Sequence, residues 1–501
     1  MHAVRGAVAA AAALAVAAGA GAAEPNPWLR QGRAAVERAR ALDPTGACAR
    51  NAILFVGDGM GLTTVTAARI LEGQLAGGSG EEHALAFEAL PHVALLKTYN
   101  TDQQVADSAG SITALTTGAK TQAGVIGLDA GIARGDAAAT SRHRLATLFE
   151  RAEDRGLATG LVTTTTVTHA TPAGVYGHAP ERGWEDDSLL SDAARAADFP
   201  DFARQLVEWP HGDGLDVVLG GGRRHFQPVS VGDPEHRELR GARRDGRDLV
   251  AEWTSRGAGS AYVWSQQGLD AVDLAKTRRL LGLFEPRHMN FEVDRAKDPA
   301  GEPSLAHMTR AAIELLARSP KGFVLLVEGG RIDHAHHSGN AHRALVDTIA
   351  FSDAVRAALA ITRPDETLVV VTADHGHVFT IGGYPTRGNP ILGVVVENDE
   401  AGKPQPEPAR DRSGSPYTTL GYHNGPGFRS PRASLEGVDT THPDFLQQAA
   451  VSLDAETHAG EDVPVYAGGP GAGLFHGVQE QSYVYHAMAD ALNWNATRKC
   501  K

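Results

Sequence analysis

Cysteine is nearly missing from this chain. Only Cys48 and Cys500 occur among 501 residues, too few for a disulfide scaffold or for a zinc site built from cysteines. They stand near the two ends, and whether they pair depends on the termini meeting, which sequence leaves open. Basic residues are also short: 47 Lys and Arg face 60 Asp and Glu, for a net charge of -13 and a pI near 5.9. That balance argues against a nucleic-acid binder, whose affinity comes from Lys and Arg neutralising phosphates. It leaves room for a small anionic substrate gathered by local cations. Beyond the N-terminal stretch, no run is long and apolar enough to cross a bilayer. A dinucleotide fingerprint is lacking too, because Leu62 stands where the third glycine of G-x-G-x-x-G would fall. So is the G-x-S-x-G elbow of ordinary serine hydrolases. No internal repeat is visible.

The N-terminus reads Met1-His2-Ala3-Val4-Arg5, then an Ala/Val/Leu run from Gly6 to Ala18, then Ala20-Gly21-Ala22-Ala23 before Glu24-Pro25. A positive start, a short apolar stretch and small residues at the end describe a signal peptide over residues 1–23, cut after Ala22 or Ala23. No twin-Arg pair precedes the run, so export in the unfolded state is expected. The mature protein, residues 24–501, is expected to be periplasmic or secreted and to form one domain.

Apolar runs at Ala52–Val56, Val93–Leu96, Ala158–Thr163, Leu215–Leu219, Gly322–Val327 and Thr367–Thr372 read as strands. Helical patterns at Ser111–Thr117, Arg142–Arg155, Pro303–Ala317 and Ala344–Ile361 lie between them. This is the rhythm of an α/β fold with a doubly wound, mostly parallel central sheet and helices on both faces. Two stretches break it. Residues from about Val229 to Asp248 are charged and poor in apolar side chains, and Thr386 to Pro443 is rich in Gly, Pro, Ser, Asn and Arg. Both read as surface excursions, the first without a functional reading, as for Trp209-Pro210-His211.

The chemistry collects where strands end, the place where open α/β sheets bind ligands. Ile53-Leu54-Phe55-Val56 leads to Asp58 among glycines, and Leu161-Val162-Thr163 runs on to His169-Ala170-Thr171-Pro172. Phe323-Val-Leu-Leu-Val delivers Glu328, then Asp333, His334, His336 and His337; Thr367 to Thr372 delivers Asp374-His375-Gly376-His377. Taken singly, Asp58 reads as a cap or turn residue, Thr171 as a helix cap and Asp374–His375 as a buried pair. Together, carboxylates and imidazoles from four strand ends must meet on one sheet edge, and so many polar groups would be costly there without cations between them. The joint reading is a multi-metal site. Ser108, in Asp107-Ser108-Ala109-Gly110, opens a small-residue helix whose N–H groups favour an anion such as phosphate. A metal that lowers its hydroxyl pKa would make it a nucleophile without a histidine partner.

At these motifs, joined by Glu456-Thr457-His458-Ala459-Gly460-Glu461-Asp462, the sequence resembles the alkaline phosphatases, from about Asn51 to Trp494. The resemblance implies hydrolysis of phosphate monoesters through a covalent phosphoserine on Ser108, with broad specificity and release of inorganic phosphate. It implies one zinc held by Asp333, His337 and His458, and a second by Asp58, Asp374 and His375. A magnesium would be held by Asp58, Thr171 and Glu328, with His169 nearby or coordinating through water. Arg182 matches the family's phosphate-clamping arginine, a task that suits a planar two-pronged guanidinium. His336, His377 and His178 are left as supporting or structural residues.

His169 and His334 replace the Asp and Lys of enteric bacterial members and resemble the animal ones. An imidazole at His169 makes the third site softer, so zinc or cobalt could compete with magnesium. The segment 386–443 resembles the crown of the animal-type enzymes, which implies a homodimer. Within the superfamily the rivals are a phosphodiesterase and a sulfatase, and Ser108 lacks the C/S-x-P-x-R motif a sulfatase requires. Outside it, the rival is a non-catalytic metal- or phosphate-binding protein, disfavoured because Ser108, Arg182 and every metal position are intact.

Overall fold

Unbroken runs of Val, Leu, Ile and Phe become strands with no exposed face. A computed structural model describes residues 26–40, 46–496 and 500; the expected signal peptide lies outside them. Ten strands form one sheet: β1 (Asn51–Gly57), β2 (His92–Lys97), β3 (Ala158–Thr166), β4 (Val217–Gly221), β5 (Ser260–Val263), β6 (Arg279–Leu283), β7 (Phe323–Gly329), β8 (Thr367–Ala373), β9 (Val463–Gly468) and β10 (Gly477–Glu480). Their order is β10-β2-β9-β8-β1-β7-β3-β4-β6-β5. Every pairing is parallel except those of β9, which runs antiparallel to both β2 and β8. β1 sits at the centre, and Ala52 through Val56 are wholly buried, as are Val324 through Val327 in β7. Each such branched side chain contributes roughly 1.5–3 kcal/mol by leaving water.

Helices flank the sheet. The longest, Ala341–Ile361, packs on Leu305–Leu316 and Leu62–Leu75. Its buried Phe351 stands edge-on to Phe55 of β1 and to Phe87. A three-stranded sheet of Phe379–Ile381, Leu420–Gly425 and Ala449–Ser452 lies beside the main one in the chain order, and a small pair joins Gly376–His377 to His458–Ala459. That pairing carries His458 to His375, far away in sequence. Cys48 and Cys500 form a disulfide with Cα atoms 5.2 Å apart, next to an Ala49 N–H bonded to the Ala491 carbonyl at 2.8 Å.

The structure departs from the sequence reading in two places. The helix expected over Arg142–Arg155 is two short ones, Thr140–His143 and Leu148–Glu153, because Thr147 and Glu150 form a capping box that starts the second afresh. The helix of Ser111–Thr117 does open at Ser108, as its place in the sequence implies, since Asp107 accepts the Gly110 N–H and caps it there. Segment 229–248 is not a plain surface excursion: Arg243 is fully buried and Asp233 is 6% exposed. Its charges turn inward because each has a partner, Arg223 bonding Asp233 through two nitrogens at 2.8 and 2.9 Å and Arg243 bonding Asp201 through two at 3.0 Å. Strands β5, β6, β9 and β10 were not anticipated. The turn into β7 needs a glycine: Gly322 has φ +94°, and a Cβ there would meet the Arg50 carbonyl at 2.1 Å.

Candidate metal centre

The carboxyl ends of β8, β1, β7 and β3, four neighbours in the sheet, bring the expected ligands to one place. Asp58 follows β1, Glu328 closes β7, Asp374 and His375 follow β8, and His169 and Thr171 follow β3. Asp333 and His337 share one face of the helix Arg331–His337, one turn apart.

Among the described residues five groups of side chains have ligand atoms close enough to share an ion, four of them at this edge: His337, His377 and Glu456 form one, and three more surround Asp333 and Asp58. In the first of these three, Asp333 meets His377 and His458, with His375 nearby. Asp333 Oδ1 lies 3.3 Å from His337 Nε2, 3.3 Å from His458 Nε2 and 3.0 Å from His377 Nε2. The Nδ1 atoms of His337 and His458 bond to the carbonyls of Glu456 and Ala106 at 2.6 and 2.8 Å. A carbonyl only accepts, so both Nδ1 atoms carry a proton, and in the neutral imidazoles that bind a metal both Nε2 atoms present lone pairs. Those lone pairs face each other at 3.0 Å. A shared cation relieves that conflict.

In the second group Asp58, Asp374 and His375 converge, all fully buried. His375 Nε2 is 3.4 Å from Asp58 Oδ1 and 3.2 Å from Asp374 Oδ2. Asp374 Oδ1 is held by the N–H groups of Gly59 and His375, both at 2.9 Å. Ser108 Oγ looks into this group, 3.4 Å from Asp58 Oδ1 and 3.2 Å from His375 Nε2. The third group is Asp58, His169 and Glu328. Asp58 Oδ2, Glu328 Oε1, Thr171 Oγ1 and His169 Nδ1 are each buried there without a hydrogen-bond partner. Orphaned atoms of that kind are rare in a folded interior, and this oxygen-rich set suits a hard divalent ion. The donors present therefore fit the metals that the resemblance implies.

Electrostatics agree. Burial, then Asp374, Asp333 and Glu328, push Asp58 well above the ordinary carboxylate range. Burial, with Asp374 adding to it and the Thr163 and Thr165 hydroxyls opposing, pushes Glu328 up to about 7. Burial works against the Asp333 carboxylate as well, but His337, His377 and His458 hold it well below the usual range. So many buried acids in one place are what cations neutralise.

Arg182 lies beside these groups. Its Nη1 donates to Asp107 Oδ2 at 3.0 Å and its Nη2 to His169 Nε2 at 3.4 Å, while Asp107 also caps the helix bearing Ser108. The nucleophile candidate and the anion-binding candidate thus share one carboxylate. Of the residues left as supporting, His336 bonds Thr64 and Tyr422, and His178 bonds the Gly127 carbonyl and Glu150. His377 comes closer, bridging Glu456 Oε2 at 2.6 Å to Asp333. Burial opposes its charge, yet Asp333 and Glu456 push its pKa up to about 10. Among residues the sequence reading left without a role, Glu456 orients His377, Thr163 and Thr165 hold Glu328, and Asn100 donates to Asp107 at 3.0 Å. A further acidic cluster, Glu235, His236 and Glu285, lies apart from these groups. Both oxygens of Asp298 are buried without partners, and burial, then Glu302, Glu235 and Asp298, push Glu285 up to about 9. These oxygens could hold another hard cation. Glu285 follows β6, one of the unanticipated strands, and no sequence signal marked it.

A family model described as alkaline phosphatase matches residues 49–494. The chain is 44% identical over 478 residues to the tissue-nonspecific alkaline phosphatase isozyme of Gallus gallus, covering 93% of this chain and 89% of that one. It is 42% identical over 480 residues to an alkaline phosphatase of Gadus morhua, covering 93% and 97%. Among solved structures, the alkaline phosphatase of Thermus thermophilus matches with a TM-score of 0.63 at 26% identity, covering 91% of this chain and 94% of that one. The enzyme of the Antarctic bacterium TAB5 shares the fold, with a TM-score of 0.60 at 22% identity over 90% and 99%.

Proposed function

The chain belongs to the alkaline phosphatase family, and from that premise we propose how its residues divide the work. It is a metal-dependent hydrolase of phosphate monoesters. Ser108 Oγ attacks phosphorus, the alcohol leaves, and water then cleaves the phosphoserine to release inorganic phosphate. Water takes the proton of the Ser108 hydroxyl, because Asp58 and His375, which face it, are committed as metal ligands. Arg182, aimed by Asp107, binds two phosphoryl oxygens, and the free N–H groups at the start of Ser108–Thr117 add to the anion site. When bound, the cations would supply Lewis-acid charge to the oxygens entering and leaving phosphorus.

Imidazole and carboxylate donors suit zinc at Asp333, His337 and His458, and at Asp58, Asp374 and His375. Asp58, Thr171 and Glu328, with His169, would hold magnesium, with zinc or cobalt competing for the imidazole. A solved TAB5 variant carrying Asp in place of a His has Mg bound in its M3 site, which favours the view that this one exchange tunes the choice. The observation that carries the whole reading is Ser108 Oγ facing the buried Asp58–Asp374–His375 group. Ser108→Ala should abolish phosphoenzyme and monoester turnover while leaving metal content intact. Full activity in that variant would refute the nucleophile.

The signal peptide, export and the single domain with a crown at about 386–443 belong to the same proposal. No helix of the described residues is long and apolar enough to cross a membrane. A homodimer is favoured by exposed apolar side chains: Leu62 and Ile381 lie on contacting elements, and Tyr384, just beyond Ile381, is 86% exposed.

A further inference from the structure

The loop carrying Arg182 is fastened by buried polar contacts that play no part in the reaction above. Arg182 is followed by Gly183, Trp184, Glu185, Asp186 and Asp187. Glu185 Oε2 accepts from the hydroxyls of Thr166 and Thr168, at the end of β3, at 2.6 and 2.7 Å. It also lies 3.5 Å from His225 Nε2. The next carboxylate, Asp186, is fully buried, and its Oδ2 is 2.6 Å from His225 Nδ1. A carboxylate only accepts, so Nδ1 carries the proton. One imidazole, 6% exposed, therefore bonds Asp186 and stands against Glu185, two consecutive residues of the loop.

That imidazole is itself anchored by the charged segment 229–248. The buried Arg243 donates to the His225 carbonyl at 3.3 Å while forking onto Asp201. The Arg244 N–H donates to Asp187 at 3.1 Å. A continuous set of bonds thus runs from this segment through His225 to the side chain of Asp186, four residues beyond Arg182. Among the described residues the guanidinium is held by Asp107 and His169, with a side chain about a quarter exposed. A long side chain aimed from a loose backbone would have to be ordered at each binding event, at a cost in affinity.

We propose that His225 is a positioning residue for the phosphate-binding arginine: by holding Asp186, next to Glu185, it fixes the loop from which Arg182 projects, and so sets phosphate affinity. This rests on Arg182 being the phosphate clamp. A residue that only stabilised the fold would lower the melting temperature without being coupled to Arg182, and that difference can be measured.

The test is a double-mutant cycle on the purified, metal-loaded full chain, with inorganic phosphate as the probe, read as an inhibition constant and by calorimetry. His225→Ala should weaken phosphate binding roughly tenfold, the partial effect of losing one charge-assisted hydrogen bond. His225→Asn should recover most of it, because its amide N–H can stand where Nδ1 donates to Asp186. In an Arg182→Ala background, His225→Ala should change nothing further. The inference is overturned if the two losses add, if His225→Asn is as weak as His225→Ala, or if His225→Ala leaves affinity unchanged while Arg182→Ala weakens it. If Arg182→Ala alone leaves affinity unchanged, the clamp assignment falls and takes this inference with it. Should His225→Ala not fold, Asp186→Asn weakens the same bond and enters the same cycle.

Discussion

Stripping the cations should make this protein lose stability as the pH rises. Glu328 is the clearest contributor, buried beside Asp58, with Asp374 adding to its repulsion. Its carboxyl moves from an ordinary 4.5 to about 7. Across that window the folded, metal-free chain keeps a proton that the unfolded chain has lost, so folding is favoured less at each step upward, and the full penalty stands above about pH 7. At about 1.36 kcal/mol per pH unit the penalty is about 3 kcal/mol. Asp58 is displaced in the same direction. Bound cations neutralise both groups and remove the penalty. The stabilisation gained on adding zinc and magnesium should therefore grow between pH 5 and pH 7.5. For a chain of this size, 3 kcal/mol corresponds to roughly 3 °C of melting temperature. Calorimetric scans of EDTA-treated and reconstituted protein, at one scan rate across that range, measure the gap. A gap that stays constant or narrows would mean that these carboxylates do not surround a metal.

Exchanging His169→Asp should raise the magnesium retained after dialysis and the magnesium dependence of turnover, since a charged oxygen replaces a nitrogen; an unchanged metal profile contradicts the assignment of the third site. The Cys48–Cys500 disulfide closes a loop spanning 452 positions, for which chain entropy gives at most about 6 kcal/mol. A reducing agent should thus lower the melting temperature of the native chain but not of Cys48→Ser. Gly322→Ala should destabilise by about 3 kcal/mol or more, because φ +94° and the Arg50 carbonyl both exclude a Cβ; a shift below about 1 kcal/mol in the denaturant midpoint would show that the turn can relax.

The central strands were legible because burial on both faces demands an unbroken apolar run, and Ile53 to Val56, Val324 to Val327 and Leu368 to Val371 have one. The edge strands are short and polar, ending in Gln479-Glu480 at one side and starting at Ser260 on the other, and no such demand marks them. β9 contains Pro464, which ordinarily argues against an interior strand. It is tolerated here between β8 and β2, and its carbonyl accepts from the Thr372 hydroxyl at 2.9 Å. In the site, carboxylates and imidazoles could be read from their place after strands, since that is where a sheet delivers them. Glu456 and Thr163 could not, because their work is to orient another side chain. An orienting contact such as the 2.6 Å bond from His377 to Glu456 joins residues 79 positions apart and leaves no local pattern.

The place of β9 bears on the order in which the protein is made. β2 is among the first strands to leave the ribosome and β9 almost the last, yet β9 lies between β2 and β8. His458 emerges only just before it. A nascent chain must therefore carry unclosed sheet edges for most of its synthesis, exposed to wrong partners. If His458 holds a metal as proposed, its ligand set cannot be complete until nearly all of the chain has appeared, which would make metal loading a late step in maturation.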